Sequence, residues 1–280
     1  MKAIKTIKIR HTEIDGSSYT AEYSEYDKAG HLILNIKYDP DGSIIEKNAY
    51  QFDEYGKKQT EKNYLSEDEL AEEHRYMYDD NGKLKEEHIR YAEGYEGVRR
   101  IVNDKANKLV RIEEVDEDGD VEEYSEQEYN DEGKIVRESE YDDRGKLKTA
   151  QINTFDENGK LIRQEEYEKK MKKPVSIKEF THTETGEIAS VIMKNRKGKI
   201  TDQFVLEYDE DNRVISQKSA LSGNILIEYD TNYRKETFTD AAGKVQNETE
   251  FYYDDSGNLI REKNQMLEKD HTIEYFESEG

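Results

Sequence analysis

A five-residue turn signature recurs along this chain and limits what it can fold into. It reads aromatic–Asp–x–x–Gly, and in most copies Leu or Ile stands two places beyond the glycine. It occurs at Tyr26–Gly30, Tyr38–Gly42, Phe52–Gly56, Tyr78–Gly82, Tyr141–Gly145, Phe155–Gly159 and Tyr253–Gly257. With looser copies included, the turn positions form two interleaved series. The first holds Gly30, Gly56, Gly82, Asn107, Gly133, Gly159, Gly186 and Asn212; the second holds Gly42, Asp68, Gly94, Gly119, Gly145, Met171, Gly198 and Gly223. The spacing is 12 from Gly30 to Gly42 and 14 from Gly42 to Gly56, so the unit is about 26 residues with two turns. Self-similarity at a fixed period marks a repeat architecture.

Each position of the signature has a physical reason. The Asp side chain accepts hydrogen bonds from backbone N–H groups just ahead of it. The glycine then takes the left-handed conformation, which closes a type I turn with a glycine bulge between two strands. Asn107 and Asn212 are the substitutes that best tolerate positive φ, and Asp68 fits there too. Met171 does not, which predicts a different loop over Lys169–Pro174. Glu67–Tyr76 has helical propensity but falls on the repeat register, so it reads as turn and strand. The seven to nine residues between turns suit a strand. Counting in twos places Ile135 with Tyr141, Leu147 with Phe155, and Leu161 with Tyr167 on one face. The opposite face holds more polar sets such as Val136, Glu138 and Glu140.

The expected fold is all-β: a single long antiparallel meander of about 18–20 strands, curved or spiralling as an open sheet because wide sheets twist. It forms one repeat domain over residues 1–280. Residues 1–25 read as N-terminal capping strands, 26–212 as regular repeats, and 213–280 as an irregular C-terminal end and cap. An apolar fraction of 33 % against a charged fraction of 39 % would suit disorder, but 21 Tyr and 7 Phe argue for order with little interior.

A net charge of −23 repels nucleic acid and anionic membranes and attracts a basic protein. With no cysteine there is no disulfide or thiolate chemistry, which fits a reducing cytosol. The first ten residues alternate like a strand and lack the apolar run of a signal peptide. The expected location is therefore the cytoplasm, although a removed leader or lipid anchor would leave no trace. No stretch is long and apolar enough for a membrane helix, so no membrane insertion is expected. A monomer is the expected free state.

The Tyr-Asp-x-x-Gly-x-Leu unit, over roughly residues 20–260, resembles the YD repeat of the RHS family and, more distantly, the MORN-type repeats of some bacterial antitoxin-like proteins. The first resemblance implies a spiralling β-sheet of hairpins. The chain departs from it in being far shorter than the family's closed shells, and from the MORN pattern in having no Trp. An isolated YD-like sheet acting as a binding surface is the implied form.

The candidate chemistry is sparse. His11, His31, His74, His88, His182 and His271 form no local metal-ligand spacing. The run Asp116–Asp120 lacks the length and closing Glu of a calcium loop, and Gly119 places it on the turn register. With 66 acidic residues, no catalytic pair can be singled out. No catalytic residue, cofactor or metal is therefore expected. The strongest charge excess is Asp116, Asp118, Asp120, Glu122, Glu123 and Glu126, around Tyr124 and Tyr129. With Tyr91 and Tyr95 beside an irregular loop, these are the candidate partner-binding residues. The expectation is a non-enzymatic repeat protein of immunity or antitoxin type, neutralising a basic bacterial effector. A structural or cell-surface scaffold is the alternative.

Overall fold

The computed structural model describes residues 2–106, 108–169 and 172–277. Asn107 and Met171, and with them part of the loop expected over Lys169–Pro174, lie outside the described residues. The strands are β1 (Ile4–Glu13), β2 (Ser18–Tyr26), β3 (Leu32–Tyr38), β4 (Ile44–Phe52), β5 (Lys58–Tyr64), β6 (Leu70–Tyr78), β7 (Leu84–Tyr91), β8 (Glu96–Asp104), β9 (Leu109–Val115), β10 (Val121–Tyr129) and β11 (Ile135–Asp142). They continue with β12 (Leu147–Phe155), β13 (Leu161–Glu168), β14 (Ser176–His182), β15 (Ile188–Asn195), β16 (Ile200–Tyr208), β17 (Val214–Ser219), β18 (Gly223–Asp230), β19 (Tyr233–Thr239), β20 (Val245–Tyr253), β21 (Leu259–Asn264) and β22 (Leu267–Tyr275). All belong to one 22-stranded sheet.

The hairpin between β11 and β12 shows why this sequence turns where it does. Gly145, at φ +71, donates its N–H to the Asp142 carbonyl at 2.9 Å. The Asp142 side chain accepts from the N–H groups of Arg144 at 3.1 Å and Lys146 at 2.8 Å. Asn212 serves at φ +59 in the equivalent place, as its tolerance of that region allows. Asp68 is not among the residues with positive φ; its turn is closed instead by the Leu65 N–H donating to the Glu69 carbonyl at 2.8 Å.

The turns bring a consequence that counting in twos misses. Tyr129 pairs with Ile135, whereas Glu128 pairs with Arg137, so Val136 is an extra residue on the returning strand. Tyr141 pairs with Leu147 while Glu140 pairs with Thr149, leaving Lys148 over. A bulge of this kind reverses the side-chain alternation beyond it. Ile135 therefore shares a face with Tyr129, and Leu147 with Tyr141. The expected single aromatic face is corrected to two: Tyr129 and Phe155 stand on one, Tyr141 and Tyr167 on the other.

The open meander is also corrected. β1 pairs with β2 along one edge, through Ile7↔Ser24 and Ile9↔Glu22. Along its other edge it pairs with β22, through Ile7↔Ile273 and Ile9↔His271. First and last strands are bonded to each other, so the sheet is not an open meander with two free end strands. An open sheet would leave a row of unpaired N–H and C=O groups on each end strand, and joining β1 to β22 satisfies them. The tighter turns after Asn212 also bring the strand number to 22.

The chain divides into two compact units. One comprises Met1–Gly97, Glu228–Glu236 and Asn247–Gly280; the other comprises Val98–Ile227 and Thr237–Gln246. In the first unit the only buried apolar residues are Ala21 and Ile89, and in the second Val115 and Ala150, among the described residues. Polar cross-strand contacts take the place of a deep core. In the first unit Lys58 lies over the rings of Tyr50 and Tyr76 and pairs with Glu61 at 2.8 Å. Tyr76 donates its hydroxyl to Glu61 at 2.9 Å, and burial with that carboxylate pushes its pKa up. In the second unit Arg163 bridges Glu165 at 2.7 Å and Glu179 at 2.8 Å, while Lys194 reaches Glu179 at 2.5 Å. Pairs of this kind contribute roughly 0.2–1 kcal/mol each.

Candidate functional site

A concavity lies in the second unit, over β9 to β13. A depression of about 460 Å³ adjoins a second of about 210 Å³, and Ser125 and Glu140 border both. Strand register explains its chemistry. Gln127 opposes Glu138, Glu138 opposes Gln151, and Gln151 opposes Glu166, so these four side chains share the Tyr129 face across four strands. Ser125, Glu140, Thr149 and Glu168 extend the same face by one pair.

Hydrogen bonds hold these groups in place. Gln127 Nε2 donates to Glu138 Oε1 at 2.9 Å, and Gln151 Nε2 donates to Glu138 Oε2 at 3.3 Å. Thr149 donates to Glu140 at 2.8 Å. Ser176 donates to Glu166 at 2.7 Å, with Lys178 at 3.5 Å. Glu123, in the smaller depression, pairs with Lys148 at 2.5 Å, and that hydrogen bond holds the lysine above its usual pKa. Lys148 is the only cation lining either depression among the described residues. Ionised carboxylates accept hydrogen bonds and donate none. A trough so lined offers fixed acceptors to ammonium or guanidinium groups.

The residues expected to bind a partner are distributed as follows. Asp116 serves its own turn, accepting from the N–H groups of Asp118 at 3.0 Å and Asp120 at 2.8 Å. Asp118 and Asp120 are exposed at its tip, and Glu122 is the extra, exposed residue after it. Glu123 enters the trough. Tyr124 stands on the opposite face, stacked on Tyr141 at 4.7 Å with the Arg111 guanidinium 3.6 Å from its ring centre. Burial pushes its phenol pKa up, with Arg111 opposing. Glu126 shares that face, 3.7 Å from Arg111. Tyr129 lies on the trough's face and donates to Gln127 at 2.8 Å. Tyr91 and Tyr95 are exposed in the first unit, where the Tyr91 N–H donates to the Tyr95 carbonyl at 2.9 Å.

Sequence reasoning missed Glu138, Glu140, Gln127 and Gln151 as a group. The period-two pattern of β11 does put the two glutamates on one face, but which residues oppose them depends on the bulges. Among the described residues, no group of three His, Asp or Glu side chains is placed to hold a metal ion.

Two segments, residues 74–91 and 152–169, match the MORN repeat variant family. Of the two resemblances read from the turns, the MORN-type one is thus met by a family match. No curated protein matches the chain. Among solved structures, the crystal structure of TcdB2-TccC3-TEV is similar over 94 % of this chain and 18 % of its own, at 14 % identity and a TM-score of 0.32. The Photorhabdus luminescens Tc holotoxin pore carrying a TccC3 mutation gives the same coverage and identity at 0.31. The chain thus spans less than a fifth of the length of those toxin chains. A porin-like protein from Bacteroides uniformis is similar over 97 % of this chain and 98 % of its own, at 12 % identity and 0.32.

Proposed function

We propose that this β-repeat protein is a non-catalytic scaffold that captures a basic protein partner, in the manner of an immunity or antitoxin-type protein neutralising a basic effector. The observation that carries this reading is the trough on β9 to β13, where Glu138, Glu140 and Glu168 form no ion pair among the described residues. A net charge of −23 would steer a cationic partner towards it. Both faces of the strands carry charge, as in β10 with Glu126 and Glu128 on one and Glu123 on the other. A lipid-facing barrel wall disfavours such residues by about 2–4 kcal/mol for a basic side chain at mid-bilayer, and by less for an acidic one. Aqueous contact on both faces is the reading that this supports.

The test is binding of a short oligolysine peptide to the full chain, titrated at low and high salt. Glu138→Gln with Glu140→Gln should weaken it by about three- to tenfold, since each exposed pair contributes up to about 1 kcal/mol. Affinity that ignores both salt and the double substitution would sink the proposal. A structural or surface scaffold is the second reading, favoured by the β1–β22 pairing that joins the strand ends. It would be preferred if the trough variants bound as the parent does.

A further inference from the structure

In the first unit, β20 to β22 and β1 to β7 follow one another as antiparallel neighbours, joined through the β1–β22 pairing. Their alternating direction places five turns at one end of the strands, after β21, β1, β3, β5 and β7. Each shows an exposed apolar side chain: Met266, Ile14, Pro40, Leu65, and the pair Tyr91 and Tyr95. Met266, Ile14 and Leu65 are 75 %, 84 % and 62 % exposed, so their own sheet gains almost nothing from them. At the other end, the turns after β20, β2, β4 and β6 hold one large exposed apolar residue, Tyr55, among the described residues.

Charge is divided the same way. No Lys or Arg stands in segments 13–17, 39–43, 65–69, 91–95 and 264–267, and all but the last carry one to three Asp or Glu. These carboxylates are exposed and form no ion pair among the described residues. The turns at the other end bring in Lys28, Lys57 and Lys83. The apolar tips are held by their own backbones. Glu13 N–H donates to the Ser17 carbonyl at 2.9 Å, Leu65 to Glu69 at 2.8 Å, and Tyr91 to Tyr95 at 2.9 Å. At Met266 the Asn264 side chain accepts from the backbone N–H at 2.8 Å.

We propose that this row of turns seats a basic amphipathic helix of a partner protein, its apolar side chains against the tips and its cations towards the acidic residues beside them. Exposed apolar groups in a field of one sign select a partner of the opposite sign. Spacing selects the helix. Successive tips are two strands apart, about 10 Å. Seven helical residues advance about 10.5 Å, so one apolar residue per heptad meets one tip after another along a single stripe. An extended peptide covers about 10 Å in three residues, and an odd step turns every second side chain away. The turns also offer a strand little to pair with, since their backbone groups bond within each turn. The row is separate from the acidic trough and does not depend on it.

The probe is a Leu/Lys/Gln peptide of about four heptads, with Leu at the first and fourth places of each. It is titrated calorimetrically into the full chain carrying Glu138→Gln and Glu140→Gln, so that the trough does not contribute. The peptide is expected to bind and to gain helix by circular dichroism. A scrambled peptide of the same composition should bind about tenfold more weakly. Ile14→Ser with Leu65→Ser, strand content verified, should cost at least about tenfold, since two large side chains no longer leave water. Tyr55→Ser, at the other end, should change nothing. The proposal is overturned if the peptide does not bind, if it binds without gaining helix, if the scrambled peptide binds as well, or if the double tip variant loses no affinity. It is equally overturned if the peptide fails while that variant abolishes self-association or binding to phosphatidylcholine vesicles, which would assign the row to a second copy or to a membrane.

Discussion

Gly223 and Gly30 hold nearly the same backbone conformation, at φ +96 and +91, in very different surroundings. A Cβ on Gly30 meets nothing within 4 Å. A Cβ on Gly223 would lie 2.0 Å from the Thr239 carbonyl oxygen and 3.0 Å from Asp240 backbone atoms. Gly30→Ala should therefore cost only the conformational term, on the order of 1 kcal/mol. Gly223→Ala carries the same term and must also move two backbones apart. Real Cβ contacts do not fall below 3.0 Å, so the separation must grow by at least 1.0 Å, and the neighbour is backbone rather than a flexible side-chain end. Overpacking of that kind adds about 1–3 kcal/mol. The expected total for Gly223→Ala is about 3 kcal/mol, some 2 kcal/mol beyond its partner variant. Urea denaturation followed by circular dichroism reads both midpoints. Equal losses in the two variants would refute the close approach of Gly223 to Thr239.

Other outcomes follow from titrating groups. Asp79, Asp156, Asp209 and Asp254 all have carboxyl pKa values below the ordinary 3.8, chiefly through hydrogen bonds from the residue after the turn glycine or, at Asp209, after Asn212. A depressed folded pKa means stability that is present above the unfolded value and lost as pH falls through the folded one. The melting temperature should hold down to about pH 4 and drop below it; a flat profile to pH 2 would contradict the turn chemistry. Burial likewise holds His11 and His271 below 6.5, with Lys269 adding to it and Glu262 and Glu22 opposing. Both lie on the β1–β22 pairing, where Nε2 of His271 is buried with no hydrogen-bond partner among the described residues. Below pH 6.5 the unfolded chain takes up protons that the folded one resists, so stability should decline. His271→Gln should flatten that slope, and an unchanged slope would clear the imidazole of any part in it.

Legibility in the sequence followed the range of the interactions. Turns were legible because Asp142 and Gly145 act on backbone atoms within four residues. Glu67–Tyr76 reads as turn and strand against its helical propensity because position 68 falls on the repeat, and the structure has strand from Leu70 to Tyr78, even though Asp68 itself does not take positive φ. The face of each strand was not legible. One extra residue, the third beyond the turn glycine as at Val136 and Lys148, reverses every side chain beyond it, and counting in twos through the turn takes no account of it. The trough suffered the same loss: Glu138 and Glu140 could be seen as neighbours, but Gln151 reaches Glu138 only through the shifted pairing. Closure was further still from view, since Ile9 and His271 meet across nearly the whole chain.

The pairing of β1 with β22 restricts how this gene could lengthen or shorten. Neighbouring strands here run in opposite senses, so terminal strands can bond antiparallel only when the strand count is even. Duplication or loss of a whole hairpin respects that rule, whereas gain or loss of a single strand would leave the two ends running the same way and break the antiparallel β1–β22 pairing. Copy number should drift among descendants in steps of two strands, one 26-residue repeat at a time.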